Sequence, residues 1–215
     1  MLINNQAQLL TSLSERIANH AGEKRLLIAI AGPPAAGKST LLKELVAGLA
    51  GRFGTNHVIG LPMDGFHLDN VQLDEAGLRL VKGSPATFDV GGLLSLTRRL
   101  CAGEEPVYAP EFDRSSDLSR NCAIKVSASH KVVLLEGNYL LLNQAPWQSL
   151  APYFSVTVSI DVPMETLHQR LLERWKHHGL TESDALRRAE SNDIPNAHTV
   201  VQHSVQADIV YQPRI

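Results

Sequence analysis

The chain has 215 residues, a length that suits one α/β domain with a mobile appendage better than two full domains. Its 20 Lys and Arg against 22 Asp and Glu leave a formal net charge of −2, so no global positive field draws it to nucleic acid or to an anionic membrane. Cys101 and Cys122 show no C-x-x-C spacing and do not suggest a disulfide framework. No apolar run is long enough to span a bilayer, and Met1–Gln6 lacks the basic start of a secretory signal, so the expected location is the cytoplasm.

In chain order, Leu9, Leu13 and Ile17 stand at helical spacing and predict a leading amphipathic helix over Gln6–Ala21. Leu26–Ala31 is almost continuously apolar, the pattern of a strand buried on both faces of a parallel sheet. Gly32-Pro33-Pro34-Ala35-Ala36-Gly37-Lys38-Ser39 follows it and fits G-x-x-x-x-G-K-[ST]. A helix-forming run, Ser39–Leu49, comes next. In a loop of this kind the backbone N–H groups point inward and cradle a β-phosphate, and the helix N-terminus adds a favourable field. Lys38 can reach the β- and γ-phosphates, and the Ser39 hydroxyl can bind Mg²⁺. Gly32 through Ser39, with Thr40, form the expected nucleotide site.

His57–Met63 reads as a second strand ending at Asp64, and a short helix is predicted over Asp69–Ala76. Lys82–Pro85 reads as a loop. Asp89 can cap a helix reaching about Cys101. Pro106–Arg120, rich in Pro, Asp, Arg and Ser, reads as an irregular loop, and Ala123–Val126 as an edge strand. Lys131–Leu135 is a clear strand that ends on Glu136-Gly137, and Ser155–Ile160 is another. Pro163 opens a helix that runs to about His178, where Gly179 ends it. Thr181–Asn192 is expected to be a helix of a lid. A helix over Ala197–Val205 and a strand over Ala207–Tyr211 close the chain.

Strands alternating with helices predict an α/β fold with a mainly parallel sheet. Ligands in such sheets bind outside the carboxyl ends of the strands. The phosphate loop, Asp64 and Glu136 all stand at such ends, so one cleft should gather them. Glu136 with Ser39 forms the expected metal shell, and Mg²⁺ there would keep part of its water. Asp64 is the candidate general base for an attacking hydroxyl. Arg170 and Arg174 lie one helical turn apart and can neutralise a transferring phosphoryl group. Tyr108, Asp113 and Arg114, joined by Phe66, His67 and Tyr139, are candidates for a polar pocket with an aromatic wall.

On these residues, and on Met63-Asp64-Gly65-Phe66-His67, Glu136-Gly137-Asn138-Tyr139, Arg170–Arg174 and Ala207–Val210, the chain resembles the uridine kinase, phosphoribulokinase and pantothenate kinase group of P-loop kinases. The resemblance covers nearly everything after the first helix. It implies a P-loop NTPase fold, ATP as donor with Mg²⁺, an aspartate base at Asp64, lid-helix arginines at Arg170 and Arg174, and frequent homodimers. Lys82–Asp89 and Tyr108–Arg114 look like a branch whose members carry nucleoside kinase-like or fructose-transport-system kinase names. Gly65 departs from the uridine kinases, which place an aromatic pair directly after the aspartate.

The expectation is one domain over residues 1–215, with a lid over about 170–195. Its activity would be transfer of the γ-phosphoryl of ATP to a hydroxyl of a sugar, nucleoside or pantothenate-like alcohol. The rival reading is a nucleotide hydrolase that acts as a switch or assembly factor and has no small acceptor. The absence of an N-K-x-D sequence weakens its GTPase form.

Overall fold

The computed structural model describes residues 1–20 and 24–214. Its centre is a six-stranded, all-parallel sheet. Six segments build it: β1 (Leu2–Ile3), β2 (Leu26–Ala31), β3 (Val58–Pro62), β6 (Val132–Gly137), β7 (Val156–Ile160) and β8 (Ile209–Tyr211). They lie in the order β1-β8-β7-β2-β6-β3. Between β3 and β6 run two strands of a separate antiparallel pair, β4 (Val107–Asp113) and β5 (Leu118–Val126).

Strand side chains alternate between the two faces of a sheet, and the core divides accordingly. Leu27, Ala29 and Ala31 of β2, with Val133 and Leu135 of β6, belong to one apolar cluster. It includes Leu93, Leu96 and Leu100 of helix α4 (Val90–Ala102) and Val107 and Ala109 of β4. Leu26, Ile28 and Ile30, with Val132 and Leu134, belong to the other. That cluster takes in Leu9, Leu13 and Ile17 of α1 (Gln6–Ala18) and Leu41, Leu45 and Leu49 of α2 (Lys38–Phe53). Both faces of β2 and β6 are therefore covered, which explains their unbroken apolar sequence. A short helix, α3 (Asn70–Glu75), is capped by Asp69, and three more follow β7: α5 (Met164–His177), α6 (Glu182–Arg188) and α7 (Ile194–His203). A wide π-helical turn, Ala189–Asp193, joins α6 to α7.

Most predicted elements stand within a few residues of their expected bounds. The leading helix ends at Ala18, and the expected extension to Ala21 lies outside the described residues. The main difference is Pro106–Arg120. The expected irregular loop is β4, the hairpin turn and the start of β5, and the expected edge strand Ala123–Val126 is the end of β5. Pro110 is accommodated where the register slips between Ala109 and Glu111, a bulge that spares the ladder its missing N–H. Strand β1 has no counterpart among the expected elements; two residues carry too little pattern to read.

Candidate active site

The site begins with the turn between β2 and α2. Ala35 (φ 62°) and Gly37 (φ 94°) both take left-handed backbone conformations, which curl the chain around a concave main-chain surface. No side chain caps the N-terminus of α2, so its first-turn N–H groups remain available to an anion. Lys38, a residue 8% exposed, donates its ammonium to the Pro33 carbonyl at 2.9 Å across the loop. Ser39 Oγ donates to Glu136 Oε1 at 2.9 Å. This contact joins the exposed Ser39 of the loop to the buried Glu136 at the end of β6 and makes an all-oxygen pair.

Burial strips water from the charges here. It holds the Lys38 ammonium below its ordinary range and pushes the Glu136 carboxyl above its own; each partly offsets the shift of the other. Such a pair suits a polyanion and a hard cation, whose charges would replace the missing solvation. Among the described residues no three or more His, Cys, Asp or Glu gather as a metal cluster. Mg²⁺ beside bound phosphates needs only one or two protein oxygens, so Ser39 and Glu136 fit it.

Two glycines press the neighbouring strand ends together. A Cβ on Gly137 would lie 2.6 Å from Met63 Sδ, so the end of β6 can sit directly against the turn after β3. That turn, the 3₁₀ segment Met63–Phe66, carries Asp64. A Cβ on Gly65 would lie 2.6 Å from the Pro110 carbonyl carbon. The bare backbone at Gly65 therefore lets β4 pack onto the Asp64 turn. The hairpin brings Arg114 over the same turn, and its Nη2 donates to Asp64 Oδ2 at 2.7 Å.

Loop, Asp64, Arg114 and Glu136 share one cleft of about 580 Å³. His67 lines it as well. Its Nδ1 lies 2.8 Å from the Asp64 carbonyl, and its ring packs against Phe88 and Phe112 at centroid distances of 4.1 and 4.7 Å. Burial holds the His67 imidazole below its ordinary range, against the opposing pull of Asp64. Arg174 lines the cleft from α5, with its guanidinium carbon 5.5 Å from the Trp175 ring centre. Arg170 stands beside the loop, where Nη1 donates to the Ala35 carbonyl at 3.4 Å, and is not among the cleft-lining residues.

Four side chains expected near an acceptor do not line this cleft. Phe66 and Tyr108 line a second cavity of about 330 Å³ beyond His67. Asp113 Oδ1 accepts from the Ser115 N–H at 2.9 Å and holds the hairpin turn. Tyr139 is fully buried, packs against Trp147 and donates its hydroxyl to the Gly83 carbonyl at 2.6 Å. Burial pushes its hydroxyl far up from the ordinary phenol value. In their place the cleft holds Lys82, Phe112, Asp117, Asn138, Trp175, Asp193 and Asn196, which sequence reasoning missed as site residues. Phe112 and Asn138 were within the motifs already noted. Lys82 and Asp117 meet only through the hairpin, at 2.8 Å between Nζ and Oδ1, so no local pattern could pair them.

No protein-family model matches the chain. It is 34% identical over 197 residues to "Putative uridine kinase C227.14" of Schizosaccharomyces pombe, covering 88% of this chain and 84% of that protein. Pantothenate kinase of Shouchella clausii is 30% identical over 171 residues, which are 77% of this chain but 53% of the enzyme. Among solved structures, a "putative fructose transport system kinase" from Silicibacter sp. TM1040 superposes with a TM-score of 0.90 at 37% identity, covering 96% of this chain and 98% of that one. With its phosphate loop closed by Lys38 and Ser39 and set on a parallel sheet, and with this likeness over most of both chains, the protein belongs to the uridine kinase-like P-loop kinases and is an ATP-dependent phosphotransferase with an alcohol acceptor.

Proposed function

We propose that this kinase transfers the γ-phosphoryl of ATP to a hydroxyl of a small sugar, nucleoside or pantothenate-like alcohol, with Asp64 as the general base. The observation that carries this reading is the shared cleft, in which a phosphate-binding loop and an acidic side chain face one volume of about 580 Å³. That space lies within the range of small-molecule sites. A switch protein has no need of a walled volume beyond its phosphates.

The α2 N-terminus and Lys38 would bind the triphosphate, and Arg170 and Arg174 would stabilise charge on the transferring group. Ser39 and Glu136 would hold Mg²⁺, which when bound neutralises phosphate charge. Asp64 would orient the acceptor hydroxyl and take its proton as the new P–O bond forms, while Arg114 keeps the carboxylate directed into the cleft. The α5–α6 region would act as a lid that excludes water and suppresses hydrolysis.

The test is ADP release by the purified protein with Mg²⁺, screened against sugars, nucleosides and vitamin alcohols, with the acceptor-free rate subtracted. A class of alcohols that raises release well above background supports the reading. Uniform background across the whole panel contradicts it.

A further inference from the structure

The cations that line the cleft are held in two different ways. Three of them have carboxylate partners: Lys82 Nζ lies 2.8 Å from Asp117 Oδ1, Arg114 Nη2 lies 2.7 Å from Asp64 Oδ2, and Arg79 Nη1 lies 3.0 Å from Asp74 Oδ2. Lys38 donates to the Pro33 carbonyl of the phosphate loop. Arg174 and Arg188 also line the cleft, yet among the described residues neither has a carboxylate oxygen within 4.0 Å. What they share is the indole of Trp175. Its ring centre lies 5.5 Å from the guanidinium carbon of Arg174 and 5.4 Å from that of Arg188. Arg188 Nη1 donates in addition to the Leu80 carbonyl at 2.9 Å.

Three segments fix the indole in place. Trp175 stands in the last turn of α5, which Gly179 closes with a left-handed φ of 87°. The Gly179 N–H donates to the Lys176 carbonyl at 2.9 Å and the Leu180 N–H to the Trp175 carbonyl at 3.1 Å, the paired bonds of a glycine-closed helix end. The chain so reversed packs α6 against α5 through the fully buried Ala185, which carries Arg188 back to the indole. The π turn then brings in the buried Asp193, whose Oδ2 accepts from Trp175 Nε1 at 2.6 Å. The His178 ring packs 5.8 Å from the indole. Asp193 is near enough to attract both arginines, but its close partner is the indole N–H. Burial, with Arg114 close by, holds Arg174 below its ordinary range, against the pull of Asp193 and Asp64. A guanidinium in that position is short of counter-charge.

We infer that Trp175, pinned by Asp193, is a positioning residue: its ring keeps Arg174 and Arg188 at the cleft, unpaired with any carboxylate, until phosphate oxygens take them up. A ring face attracts a guanidinium weakly, whereas a phosphate binds it through charge-assisted and often bidentate hydrogen bonds. The arginines can therefore leave the indole for a nucleotide, a transfer that a tight ion pair would oppose. The inference rests on the kinase reading given above and deepens it by stating how its phosphate-facing arginines are kept available.

The test is a mutant cycle read by transfer from γ-labelled ATP, which measures slow turnover. Trp175→Leu should lower kcat by about 5- to 30-fold while the dissociation constant for ATP moves less than about threefold. Trp175→Phe keeps a ring face without the N–H to Asp193 and should fall between Trp175→Leu and wild type. In a protein already carrying Arg174→Ala and Arg188→Ala, Trp175→Leu should cost no more than about twofold. An equal loss in both backgrounds, a Phe variant no better than the Leu variant, or a kcat unchanged by Trp175→Leu overturns the inference and leaves the kinase reading standing. Wild-type kcat in the double arginine variant removes Arg174 from the proposed chemistry, and the inference with it. Fluorescence gives a readout that needs no acceptor, since the only other tryptophan, Trp147, is buried in the core. MgATP should change the emission assigned to Trp175 by comparison with Trp175→Phe, and the double arginine variant should lose most of that change. An equal change without the two arginines would overturn the transfer from ring to phosphate.

Discussion

Replacing Asp64 with asparagine removes the proton acceptor while conserving size and one hydrogen-bonding oxygen. The structure separates the two consequences. The Asp64–Arg114 pair is open to water, with side-chain exposures of 26% and 60%, so its electrostatic worth is about 0–1 kcal/mol. The amide oxygen in the Asp64→Asn variant can still accept from Arg114. The melting temperature of a chain this long should fall by no more than about 2–4 °C. Loss of a general base costs about 10²- to 10⁴-fold, or about 3–5 kcal/mol of barrier. The assay is kcat from ADP release with the identified acceptor, beside calorimetric titration of ATP. Expected are a kcat lower by at least about 100-fold, ATP affinity within about threefold of wild type and an intact melt. A kcat within about threefold of wild type would refute the role of Asp64, since no other acidic group stands on the turn after β3.

Three further outcomes follow from the geometry. Lys38→Ala should weaken ATP binding or turnover by at least about 100-fold, read by titration and ADP release; an unchanged titration would remove the loop from the account. Gly65→Ala forces a methyl group against the Pro110 carbonyl and should cost about 1–3 kcal/mol in a urea melt, with kcat/KM falling as the hairpin carrying Arg114 shifts. An unchanged melt would show that the contact relaxes freely. For His67, burial lowers the folded value below the ordinary 6.5, so between those two values the unfolded chain binds more protons. Its contribution to stability is therefore lost as pH falls through 6.5, and the stability of wild type relative to His67→Gln should decline from about pH 7.5 to about pH 5.5. A pH-independent difference between the two would contradict a desolvated imidazole.

The phosphate-loop side of the candidate site was legible in local pattern, because the loop, Lys38 and Ser39 are contiguous and its main-chain curvature includes a left-handed Gly37. Asp64 and Glu136 were legible from strand ends, where a parallel sheet collects its ligands. The opposite wall of the cleft was not. Its wall is assembled by the β4–β5 hairpin, whose Pro110 and charged turn disguised a strand, and by a π turn that no helical periodicity announces. Tyr139 illustrates the reverse error. A tyrosine three residues after Glu136 reads as an aromatic wall, yet the chain turns it into the core behind Gly83. Lys82, Asp117 and Asn192 lie far apart in sequence and meet only when the hairpin and the π turn fold onto the same loop.

The central claim is that phosphate and alcohol meet in one cleft. It is tested most directly by following γ-labelled ATP through a reaction with wild-type protein, Mg²⁺ and a panel of sugars, nucleosides and vitamin alcohols. The account predicts label recovered as a phosphate ester of an alcohol, formed at least about 100-fold more slowly with Asp64→Asn. Label recovered only as inorganic phosphate, at a rate indifferent to every alcohol supplied, would contradict it.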